Sequence, residues 1–109
     1  MVMKLVMTSH VMRRFLERTI KTKLEKAFLV PPKIITSLDI VNLPINRIKE
    51  KGYLYAYYPG QNELFFLQVK GGELVVKSFI VLQPVLEEHL KKLIEEGHLK
   101  KVGEEYPVF

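Results

Sequence analysis

The chain contains no cysteine. A disulfide-stapled scaffold and thiolate chemistry are therefore excluded, and a reducing compartment is compatible. No apolar run approaches the ~18 residues of a membrane span. The apolar start, Met1 to Met7, is too short for a secretory leader with its cleavage site. These absences predict a cytoplasmic protein with no membrane partner. Repeats, low-complexity stretches and linkers are missing too, so residues 1–109 read as a single domain. His10, His89 and His98 have no metal-ligand spacing, and neither a Gly-rich phosphate loop nor a Ser-His-Asp pattern occurs. No metal and no cofactor are expected. Arginine is absent between Tyr53 and Val81, where the basic residues are Lys70 and Lys77. A lysine cannot offer the bidentate fork of a guanidinium.

What remains is the composition of a folded protein, 48% hydrophobic and 27% charged. A formal charge of +5 favours an anionic partner such as nucleic acid, though a modest excess of lysine also serves solubility.

The pattern predicts an α+β fold in the order β-α-α-β-β-β-β-α, with helices on one side of an antiparallel sheet of about four or five strands. Val2 to Met7 reads as a strand, with Thr8 or Ser9 capping the helix after it. Val11, Met12, Phe15, Leu16 and Ile20 form a helical stripe over His10 to Ile20, and His10, Arg14 and Arg18 share one flank. Thr22 and Glu25 have the spacing of a capping box for a second helix, which Pro31-Pro32 closes. The two make an N-terminal αα-hairpin. Lys33 to Val41 reads as a strand, and Ile45 to Ile48 as an edge strand. Pro84 opens a C-terminal helix over residues 84–97, followed by a tail at 98–109.

Tyr53 to Val81 is the most legible stretch, three strands joined by turns at Pro59-Gly60-Gln61-Asn62 and Gly71-Gly72. A two-residue second turn sets Lys70 opposite Glu73 and Phe66 opposite Lys77. A four-residue first turn sets Tyr55 opposite Phe66. Alternation then gives a core face of Leu54, Ala56, Phe65, Leu67, Val69, Leu74, Val76, Ser78 and Ile80. The other face carries Tyr53, Tyr55, Tyr57, Leu64, Phe66, Gln68, Lys70, Val75, Lys77 and Phe79, rings mixed with amines and an amide. Such a face suits stacking on bases and pairing with phosphates. The competing reading is that the stripe of the last helix folds back over Leu64, Phe66, Val75 and Phe79, or that a second copy covers them.

Ser9-His10, Arg14 and Glu17-Arg18-Thr19-Ile20 resemble the H-x-x-x-R-x-x-E-R-x-I opening of small domains grouped with the BrnT toxins, within the RelE-like toxin superfamily. With the element order, the likeness spans about Thr8 to Pro84. It implies a metal-independent endoribonuclease acting on mRNA, often on the ribosome, and restrained by a cognate antitoxin. A ribose 2′-OH attacks its own phosphate in that chemistry, so the site must stabilise negative charge and move protons. On that resemblance Lys77, Tyr55, Lys70 and His10 are the candidate catalytic groups. Tyr53, Tyr57, Gln68, Arg14, Arg18 and Arg47 are the candidate RNA contacts. The missing arginines favour a non-catalytic interaction module of the same fold instead, homodimeric through the sheet face, or a basic protein that binds nucleic acid without cutting it.

Overall fold

The meander builds outward from its two turns. Gly71 and Gly72 take φ of +54° and +81°, values a side chain disfavours, and they join β4 (Glu63–Lys70) to β5 (Glu73–Val81) in a two-residue hairpin. The first turn leads from β3 (Tyr53–Tyr58) into β4 and sets Tyr58 opposite Glu63 and Tyr55 opposite Phe66, the expected register. The structure is a computed structural model and describes residues 2–13, 15–37 and 52–107. The expected edge strand at Ile45 to Ile48 lies outside them.

One correction to the register follows from a bulge. Lys70 faces Glu73 and Gln68 faces Val75, but Phe66 faces Ser78, not Lys77. Lys77 is the extra residue between the Leu67–Val76 and Phe66–Ser78 pairs. An extra residue reverses the alternation beyond it. Phe79 therefore joins the Phe65 side, and Ser78 and Ile80 join the Phe66 side, opposite to the expected assignment.

Among the described residues, two further strands join these in a mixed sheet in the order β1-β5-β4-β3-β2. β2 (Phe28–Val30) is antiparallel to β3, and β1 (Lys4–Met7) is parallel to β5. The sheet is thus not wholly antiparallel. β1 and β2 occupy opposite edges, and the chain crosses one face between them through α1 (Ser9–Met12) and α2 (Glu17–Lys26).

The helix boundaries depart from the local signals. Thr8 stands at the start of α1 without a side-chain cap bond, and its hydroxyl donates to the Lys77 carbonyl across the sheet (3.0 Å). The expected helix from His10 to Ile20 is divided: α1 ends at Met12 and α2 begins at Glu17. The break lets Phe15 reach Phe79 and Phe65, with ring centroids at 4.8 and 6.2 Å. Thr22 caps nothing: it lies inside α2, and its hydroxyl donates back to the Arg18 carbonyl (3.0 Å). Phe28, expected on a helix, begins β2. Pro32 opens α3 (Pro32–Ser37) instead of closing a helix, so residues 33–37 are helical where a strand was expected. The rest of that expected strand, 38–41, lies outside the described residues.

α4 (Pro84–Glu95) follows the predicted C-terminal helix closely. The tail docks. α5 (Val102–Glu105) buries Val102, whose N–H donates to the Ala27 carbonyl (3.0 Å), and the Leu29 N–H donates to the Lys100 carbonyl (2.7 Å).

Helices therefore lie on both faces of the sheet, not one. Val11, Ile20, Leu24 and Val102 pack over Ala56, Phe65, Leu67, Leu74 and Val76. On the reverse face Ile35 and Leu90, with Leu86, Leu93 and Ile94 beside them, pack over Tyr55, Tyr57, Leu64 and Phe66. Each aromatic ring removed from water there contributes about 1.5–3 kcal/mol before the cost of ordering it.

Candidate functional site

The structure covers the tyrosine face. Tyr55 is 1% exposed, and its hydroxyl has no hydrogen-bond partner among the described residues. Burial pushes its pKa up to about 12. Tyr57 is fully buried and donates to Asn62 Oδ1 (2.9 Å). Its pKa is also pushed up to about 12, by burial first and then by the Glu87 carboxylate. Tyr53 is half-buried and stacks on Phe66 at 5.2 Å and 17°. A phenol sealed under α4 cannot stack on a base or pass a proton to a phosphate while the helix stays in place.

The other expected residues do not converge on these rings. Lys70 is exposed at the far end of the β4–β5 hairpin, and Gln68 is half-buried between Tyr53 and Val75 in register. Lys77 is the half-buried bulge residue, with its carbonyl tied to Thr8. Arg18 belongs to α2 and His10 to α1, on the opposite side of the sheet from the tyrosines. Arg14 and Arg47 lie outside the described residues.

A different constellation forms on the α2 side. Ile20, Leu24 and Ala27 bury against the sheet, and helical spacing places Lys23 on that same face. Its ammonium is bound to Glu63 Oε1 at 2.6 Å and Gln61 Oε1 at 2.7 Å, and it lies 4.2 Å from the Phe15 ring centre. Tyr58 flanks it at 5.6 Å. Both charged side chains are more than nine-tenths buried. Burial of a charge is tolerable only with such partners.

Above this pair opens a groove of about 330 Å³ lined by Arg18, Thr19, Thr22, Lys23 and Tyr58. Arg18 is exposed and makes no ion pair among the described residues. Because Glu63 neutralises Lys23, the groove offers one uncompensated positive charge, that of Arg18. The Thr22 hydroxyl spends its proton on the Arg18 carbonyl, leaving its oxygen free to accept.

Sequence reading missed this groove except for Arg18. Its signal was present in Lys23, a lysine three residues after Ile20 and one before Leu24, on the core-facing side of a helix. A lysine there needs a buried partner, and the first residue of β4 supplies it.

The basic excess is segregated as well. Residues 1–37 hold eight Lys or Arg against two Glu, while residues 38–109 hold nine against ten Asp or Glu. The formal +5 is thus set by the segment that contains β1, α1, α2, β2 and α3. On α2, Arg18, Lys21 and Lys26 are exposed. Among the described residues no three His, Asp or Glu side chains are placed to hold a metal ion, and no helix is long and apolar enough to cross a membrane.

Comparison with family models, with curated proteins and with solved structures returned no match.

Proposed function

We propose that the chain is a basic RNA-binding module that holds the RNA backbone at the α2 groove and does not cut it. The observation that carries this reading is the groove itself: a free guanidinium, two threonine hydroxyls and a tyrosine on the most basic part of the chain. A single uncompensated positive charge matches the single negative charge of a phosphodiester. The Thr22 oxygen, an acceptor, complements the ribose 2′-OH, the group that separates RNA from DNA. Against a cutting enzyme stands the fate of the expected acid: Tyr55 is sealed from solvent and burial makes its phenol a weaker acid, and Lys70 lies at the end of a hairpin away from it.

Fluorescence anisotropy with labelled RNA, as single strand and as duplex, tests this at two salt concentrations with chelator present. The expected result is binding that weakens with salt, and an Arg18→Gln variant whose log–log salt slope is shallower by about 0.7–0.9. Absence of RNA binding, or binding that Arg18→Gln leaves untouched, refutes the reading. Chelator-resistant cleavage of the RNA refutes its non-catalytic part in favour of the toxin-like endoribonuclease.

A further inference from the structure

The groove also bears on which form of RNA it accepts. Tyr58 lies along its wall, with the ring crossing the first hairpin turn above Gly60. A Cβ on Gly60 would sit 2.5 Å from the Tyr58 hydroxyl oxygen and 2.6 Å from the ring carbon that carries it. Gly60 is therefore the residue that lets the ring lie where it does. On its inner side the ring meets the Lys23 ammonium, and its body packs against the α2-side core. The ring is held by its surroundings and needs little ordering when a ligand arrives.

We infer that the Arg18–Tyr58 groove takes a single unpaired nucleotide of an RNA strand, its phosphodiester on Arg18 and its base against Tyr58. The inference rests on the RNA-binding reading and specifies its ligand. A volume of about 330 Å³ is at the small end of ligand pockets, which run ~300–1,000 Å³. Inside a duplex every base face is covered by its neighbours, so a fixed tyrosine ring can reach a base only where the strand is unpaired. The chemistry is sequence-tolerant, because each base presents a π-face and the groove walls add one cation and two hydroxyls in place of a full edge-reading set.

Two variants test it without changing any charge. Tyr58→Leu removes the ring and keeps apolar volume. Gly60→Ala leaves Tyr58 in the chain but drives its ring from its place. Each is compared with the parent for binding to a labelled single-stranded RNA and to the matching duplex, with far-UV circular dichroism confirming the fold. The parent should bind the single strand at least tenfold tighter than the duplex. Tyr58→Leu should weaken single-strand binding by about tenfold, the loss expected for one stacked base, and Gly60→Ala should weaken it in the same direction. Equal binding of both forms, or variants that match the parent on the single strand, overturns the inference. If Arg18→Gln still weakens RNA binding in that case, the RNA-binding reading stands without it. If no RNA binds in any form, both fall.

Discussion

The buried pair under the groove yields the sharpest test of the structure. Glu63→Leu would leave the Lys23 ammonium, whose side chain is 8% exposed, facing only the Gln61 oxygen and the Phe15 and Tyr58 rings. Removing one partner of a buried ion pair costs about 3–5 kcal/mol, because the other charge stays desolvated and uncompensated. With an unfolding entropy of about 2.1 cal/mol/K per residue, a 109-residue domain loses about 4 °C of Tm per kcal/mol. The variant should therefore melt about 13–22 °C lower. Lys23→Met should also destabilise, by stranding the Glu63 carboxylate. The double variant Lys23→Met, Glu63→Leu leaves no buried charge and should lie within about 1 kcal/mol of the parent, or above it. Urea unfolding of all four proteins, followed by far-UV circular dichroism, gives the coupling free energy directly. A coupling of about 3 kcal/mol is expected. If the two single losses simply add, the side chains do not act as a pair and the account of the groove floor is wrong.

Three other outcomes follow from the covered face. Tyr55→Phe deletes a hydroxyl that has no partner among the described residues, so stability should hold or rise, by up to about 1 kcal/mol; Tyr57→Phe loses the bond to Asn62 and should cost about 1 kcal/mol in the same urea assay. Both phenols have folded-state pKa values near 12, above the ordinary value of 10.0. The stability they confer is complete below pH 10 and is lost as pH rises toward 12, because the unfolded chain releases those protons first. Tyrosinate absorbance should accordingly show Tyr55 and Tyr57 ionising only near pH 12, in step with unfolding; their ionisation near the ordinary value of 10.0 in the folded protein would contradict their burial. Asn62 has φ of +53°, and its side chain accepts from Tyr57 and donates to the Leu82 carbonyl (2.6 Å). Asn62→Ala should cost about 2–4 kcal/mol through lost bonds and backbone strain, and Asn62→Gly less, since glycine tolerates the angle; equal losses would show that the strain is absent.

Much of the meander was legible because its determinants are local. Gly71-Gly72 and the Pro59–Asn62 turn set Lys70 opposite Glu73 and Tyr55 opposite Phe66, as alternation demanded. The exception, Phe66 opposite Lys77, failed at a bulge that no residue type announces. The α4 stripe was equally clear, as was its capacity to fold back over Leu64 and Phe66. The first forty residues were harder. Phe15, Leu16 and Ile20 continue a helical period through the point where the helix breaks, and Thr22 and Glu25 mimic a helix start in the middle of α2. Local chemistry offered a plausible boundary there, and packing of Phe15 onto Phe65 and Phe79 overrode it.

The candidate site divides along the same line. Arg18 stood out on a basic helix flank, and Tyr55 and Lys77 stood out on an aromatic strand face. Their accessibility depended on which helix covers which face, and that is a long-range packing outcome. Lys23 and Glu63, 40 residues apart, meet only because α2 crosses the sheet over the start of β4. The sequence by itself determined the hairpins, the C-terminal helix and the basic character of the N-terminal third, since turn geometry, helical period and charge act over a few residues. The tertiary structure alone decided the parallel β1 edge, the parity switch at Lys77, the burial of the tyrosines and the groove above Lys23. Those depend on competition for a limited apolar surface between elements far apart in the chain, and no short window contains that competition.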